Sequence, residues 1–166
     1  MTTVQNQPLR RGPLVSAGVL MGAGLGGFVD GIVFHQMLQW HNMLSARVPA
    51  TTLIGSKINM FWDGAFHAGV WTLTVIGIAL LFHAGTRRDV VWSPRVFIGS
   101  LLSGYGLFNL IEGLIDHQIL GLHHVYEYTS NHGFWDGAFL AWGVLLLIVG
   151  SVLIRAGRND QKARGT

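Results

Sequence analysis

Apolar residues gather into four long runs along the chain, Leu14–Gln39, Ile58–His83, Val96–Leu120 and Phe134–Ile154, parted by shorter polar segments. Each run reaches the ~20 residues that carry a helix across a hydrocarbon core of roughly 30 Å, at about 1.5 Å per residue. In lipid, backbone N–H and C=O groups must pair within their own segment, so the runs predict helices and not strands. The expectation is an all-α fold: a four-transmembrane-helix bundle in a single integral membrane domain. Polar stretches at either end, residues 1–11 and 157–166, are expected to be mobile tails.

The pattern repeats. Asp30-Gly31-Ile32-Val33-Phe34-His35-Gln36-Met37-Leu38 aligns with Glu112-Gly113-Leu114-Ile115-Asp116-His117-Gln118-Ile119-Leu120 at an offset of 82, and His41 then matches His123. Phe61-Trp62-Asp63-Gly64-Ala65-Phe66 recurs unchanged as Phe134-Trp135-Asp136-Gly137-Ala138-Phe139 at an offset of 73. The chain therefore reads as two tandem, parallel helical-hairpin repeats, about 14–84 and 96–156, with the first interhelical loop nine residues longer than the third. Two-span units enter the membrane in the same sense, so a pseudo-twofold axis along the membrane normal is expected. A cleaved signal peptide over the first run is disfavoured, because that run has a counterpart in mid-chain.

Composition agrees. Half of the residues are hydrophobic and 11% are charged, against about 25% in a soluble domain. The pI near 9.8 does not imply nucleic acid, since the basic residues sit at run ends and form no stripe. Arg10, Arg11, Arg87, Arg88, Arg95, Arg155, Arg158, Lys162 and Arg164 fall at the termini and the second loop, whereas the first and third loops hold only Arg47 and Lys57. That bias places both the N- and C-termini in the cytoplasm. Gly18, Gly22, Gly26, Gly27 and Gly31 offer close helix packing, and such glycine-rich faces also allow a homodimer. Cysteine is absent, which excludes disulfides and thiolate metal sites.

Ionisable residues inside the runs carry the candidate chemistry. Counting along the helices puts Asp30, Glu112, Asp63 and Asp136 at one level, a few ångströms below the outer face. Acids facing lipid near mid-membrane cost about 2.5–3.5 kcal/mol each, so they are expected to face the bundle interior. Asp63 with His67, and Glu112 with Asp116, are four residues apart and share a helical face. Inward-projecting pairs of that kind hold metals in carboxylate bundle proteins. His35, His117, His41 and His123 lie towards the same end. Imidazole with carboxylate suits zinc, copper, iron or manganese; Met37, Met43 and Met60 near that end lean towards copper. His67, Asp116 and His124 lack a ligand counterpart in the other copy, which places the principal site on the second and third helices.

The stretches DGIVFHQMLQWH, FWDGAFHA, EGLIDHQILGLHH and FWDGAF resemble a family of small bacterial four-helix inner-membrane proteins, defined as a domain of unknown function. The resemblance covers nearly the whole chain beyond its polar ends. It implies a multi-pass protein of the bacterial inner membrane, with relatives joined to cytochrome oxidase copper-assembly proteins, and so points to the oxidase or its assembly proteins as partners. Taken together, these readings lead to a copper- or zinc-binding protein serving metal handling or oxidase assembly. Three others stay open: a hydrolase-like membrane metalloenzyme, a b-type haem held by His35 and His117, and a proton or cation pathway along the acids.

Overall fold

The computed structural model describes residues 10–164, with side chains to residue 157; the ends expected to be mobile lie partly outside the described residues. It is all-helical, with four helices each long and apolar enough to span a membrane. Helix α1 (Gly12–Val29) continues as a π-helix over Asp30–Met37. Helix α2 spans Leu53–Thr86, α3 spans Pro94–Glu112 and continues as a π-helix over Gly113–Ile119, and α4 spans His132–Arg164.

Local chemistry sets the starts. The Thr52 side chain accepts from Gly55 N at 3.0 Å, so α2 opens earlier than the apolar run alone suggests. Ser93 caps Val96 N at 3.3 Å, and Pro94 follows it where a missing N–H costs nothing. Asn59 then holds the first loop over the start of α2, accepting from Leu44 N and donating to the Val48 carbonyl.

The helices lie in the order α2, α1, α3, α4: α1 packs on α2 and α3, α3 packs on α4, and α2 and α4 do not meet among the described residues. Within the most apolar window of each span, 44% of α1 and 39% of α3 is buried, against 11% of α2 and 22% of α4. The inner pair thus forms the core, and the outer pair turns large apolar side chains such as Trp71, Phe82 and Ile148 outward. In water such faces would drive aggregation; in a bilayer lipid covers them.

Small residues make the inner crossing. A Cβ on Gly22 would overlap the Leu101 backbone, and a Cβ on Gly104, 82 residues on, would overlap that of Val19. Gly24 meets Val70 and Thr74 of α2 as Gly106 meets Gly143 and Leu147 of α4. Without this approach the ends of α1 and α3 would splay.

Gly22→Leu or Gly104→Leu is therefore expected to lower the thermal midpoint in detergent, overpacking of this kind costing about 1–3 kcal/mol. Gly64→Ala and Gly137→Ala, which meet nothing within 4 Å, should not lower it and should raise it slightly through helix propensity.

Candidate metal centre

The wider turns at the ends of α1 and α3 create the site. In an α-helix, residues five apart point about 140° away from one another. Here the backbone bonds run five residues back, Leu38 N to the Val33 carbonyl and Leu120 N to the Ile115 carbonyl, each at 2.8 Å. Under that wider winding the fifth residue returns to the same face. His35 Nε2 accordingly lies 3.1 Å from Asp30 Oδ2, and His117 Nε2 lies 2.9 Å from Glu112 Oε1. The chain then reverses through left-handed backbone at Gln39 (φ 51°) and Gly121 (φ 55°), again 82 residues apart.

The two loops that follow cross over each other. His41 Nδ1 meets the Val125 carbonyl at 2.8 Å, and His123 Nδ1 meets the Met43 carbonyl at 3.1 Å. A carbonyl only accepts, so both rings carry their proton on Nδ1, and when neutral each has its Nε2 lone pair free. Those Nε2 atoms turn inward: His123 Nε2 is 2.9 Å from Glu112 Oε1, and His41 Nε2 is 3.9 Å from Asp30 Oδ1. The His41 and His123 rings stack 4.5 Å apart with 6° between their planes.

Asp63 and Asp136 brace this arrangement from outside. Asp63 Oδ1 accepts from His35 Nδ1 at 2.9 Å and Met43 N at 2.8 Å, while its Oδ2 accepts from Asn42. Asp136 Oδ1 accepts from Val125 N at 3.0 Å, and its Oδ2 pairs with His124 Nδ1 at 2.7 Å. His117 is held more loosely, its Nδ1 standing 3.5 Å from Asp136. Glu127 joins the loops, accepting from His124 N and from the Ser45 hydroxyl.

At the centre, buried polar atoms lack a hydrogen-bond partner: both oxygens of Asp30, Glu112 Oε2, and the Nε2 atoms of His35, His41 and His117. Asp30, His35, His41, Glu112, His117 and His123 are all at most 5% exposed. Two groups of three donor atoms lie within 4.8 Å of one another, His35/His41/His123 and Glu112/His117/His123, sharing His123. Two donors about 2.1 Å from one tetrahedral ion sit about 3.4 Å apart, so a bound ion would draw the donors of either group closer together.

Of the residues singled out from sequence, Asp30, His35, His41, Glu112, His117 and His123 converge, and Asp63 and Asp136 orient them. His67 stays outside: its Nδ1 bonds the Asp63 carbonyl of its own helix at 2.7 Å, and its ring lies against Phe28 and Phe66. Asp116 is only part-buried and belongs to neither group. Met37 and Met60 are 74% and 70% exposed, so their thioethers lie away from the cluster. Sequence reasoning did not assign Asn42, Glu127 or the Met43 and Val125 carbonyls. The matched loops after His41 and His123 were the available signal for them.

Burial, and then the neighbouring His123 and His35, hold His41 well below its ordinary value of 6.5. The unfolded chain takes up a proton there near 6.5 while the folded chain does not, so His41 withdraws stability as pH falls below about 6.5. In metal-free protein, native thermal stability is expected to drop towards that of His41→Gln as pH is lowered from neutral. A gap independent of pH would contradict a neutral His41.

A family profile described as "Predicted membrane protein (DUF2243)" matches residues 17–157, and the chain belongs to that family. No curated protein and no solved structure matches it.

Proposed function

For this member of the DUF2243 family of predicted membrane proteins, we propose that the loop-end cluster binds a transition metal, zinc or copper. One observation carries the reading: the Nε2 atoms of four buried histidines converge on Asp30 and Glu112, with three of the four Nδ1 atoms already bonded elsewhere. A bound cation would supply the partner that Glu112 Oε2 and the Nε2 atoms of His35, His41 and His117 lack, and unpaired buried polar groups are costly. His35, His41, His123, Glu112 and His117 would hold the ion. Asp63 and Asp136 would fix the ring orientations, as carboxylates behind metal-bound histidines do. With no cysteine in the chain, and Met37 and Met60 exposed, the imidazole and carboxylate donors suit zinc or Cu(II) better than Cu(I).

Access from the aqueous side supports the same reading. A cavity of about 200 Å³ among the loops, walled by Asn42, Ser45, Thr51 and Glu127, reaches His41. With the termini cytoplasmic, as the basic residues indicate, that cavity opens outside the bacterial inner membrane. Handing metal to cytochrome oxidase or its assembly proteins is the role we assign there. Haem fits less well, because the imidazoles pack on one another at ring separations of 4.5–4.7 Å and leave no slot for a macrocycle. A through-going cation path is also less apt, since the exposed His83 is the only titratable side chain deep in the opposite half of α2.

Protein purified in mild detergent, without chelator or histidine tag, is expected to carry about one or two zinc or copper ions per chain by elemental analysis. His123→Ala, which touches both groups, should remove most of that metal, whereas His67→Leu should retain it. Asp63→Asn should weaken affinity roughly 10–100-fold. No binding after reconstitution with zinc, copper, iron and manganese would sink the proposal. Reporter fusions test orientation: a fluorescent protein at the C-terminus should be active and a periplasmic phosphatase there inactive.

A further inference from the structure

No Cα atoms of α1 and α4 come within 8 Å of each other among the described residues, and between these helices, beside α3, lies a cavity of about 190 Å³. A side-chain difference between the two halves leaves room for it. Gly26 lines it, whereas the residue 82 positions on is Phe108, which packs against Phe66 with ring centroids 6.0 Å apart. Trp135, Phe139 and Trp142 form aromatic walls. An apolar cavity of about 150 Å³ already accepts a benzene ring, so the volume suits one aromatic head group.

Its polar end is specific. Asp30, 2% exposed, and Asn109, 2% exposed, line the cavity; Asp30 Oδ2 faces His35 Nε2 at 3.1 Å, while Asp30 Oδ1 and Asn109 Oδ1 lack hydrogen-bond partners. Both of these atoms accept, so the complementary occupant donates. A lipid acyl chain would fill the volume and leave these acceptors unpaired, at a cost of the order of a lost hydrogen bond each. Asp30 also belongs to neither group of metal donors, while its counterpart Glu112 belongs to one. It stands between the two, with His35 Nε2 3.1 Å away on one side and the cavity on the other.

We infer that this cavity binds a membrane-dissolved aromatic alcohol, a phenol or quinol head on an apolar tail, entering sideways from the bilayer with its hydroxyl on Asp30 and Asn109. The ring lies among Trp135, Phe139 and Trp142, and the tail leaves between α1 and α4. Docking itself requires no metal. The placement deepens the metal reading, on which this consequence rests, by setting a hydroxyl one side chain from the histidine cluster. The metal would reach the site from the water side and the amphiphile from the lipid side.

Titrating 2-decylhydroquinone into detergent-solubilised protein, metal-free and zinc-loaded, tests this through tryptophan fluorescence corrected for probe absorption. Saturable quenching is expected in both forms. The di-O-methyl ether of the probe, which has no donor, should bind roughly tenfold or more weakly, as for loss of a hydrogen bond to a charged acceptor. Ala138→Phe, which fills the cavity, should abolish saturation, and Asn109→Leu should weaken the quinol but not its ether; both should keep the metal content of the native chain. Equal quenching by probe and ether, or saturation persisting in Ala138→Phe, would overturn the inference and leave the cavity to lipid chains. Because the metal-free form is titrated separately, failure of metal binding cannot masquerade as failure of docking.

Discussion

The loop end of this protein is organised by where the imidazole protons go. Backbone carbonyls of the opposite loop take the Nδ1–H of His41 and His123, and Asp63 takes that of His35. Once those protons are committed, the remaining lone pairs have one direction left, inward to Asp30 and Glu112. The first two bonds tie the loops to each other, and Asp63 and Asp136 tie the same residues to the starts of α2 and α4, so ring orientation and loop position are a single constraint. That is why loops of modest length can cover a cluster buried almost completely.

The crossing of α1 and α3 serves this constraint from below. Gly22 and Gly104 let the inner helices approach until backbone meets backbone, and the π-helical turns above them swing His35 and His117 over Asp30 and Glu112. A helix of uniform α winding would direct these histidines away from their acids. Such turns have poorer backbone geometry and persist here where the side chains they align pack against one another. Asp63 and Asp136, from the outer helices, then lock the result.

The two halves differ around the cluster. His124 stands where the first half has Asn42, Asn109 where it has Gly27, and Gly26 where the second half has Phe108. The first difference alters how the bracing acid is held. The other two leave a polar-ended cavity beside Gly26, whereas the matching Phe108 packs on Phe66. Near-matched scaffolds therefore give a cluster approached differently from its two sides.

Four membrane-length helices, the recurrence at offsets of 82 and 73, and the gathering of acids and histidines at one end were all legible in the sequence, because hydropathy and local identity are properties of neighbouring residues. Which of those side chains converge was not. Pairing residues four apart singled out Asp63 with His67 and Glu112 with Asp116, which assumes α-helical winding. The structure pairs residues five apart, Asp30 with His35 and Glu112 with His117. It leaves His67 bonded to its own helix and gives Asp63 to the loops. The crossing of the loops, which sets His41 on His123, joins segments 82 residues apart through backbone carbonyls that no side-chain pattern records. Winding and loop exchange are decided by packing across the whole bundle, so only the tertiary structure could turn a list of polar residues into a site.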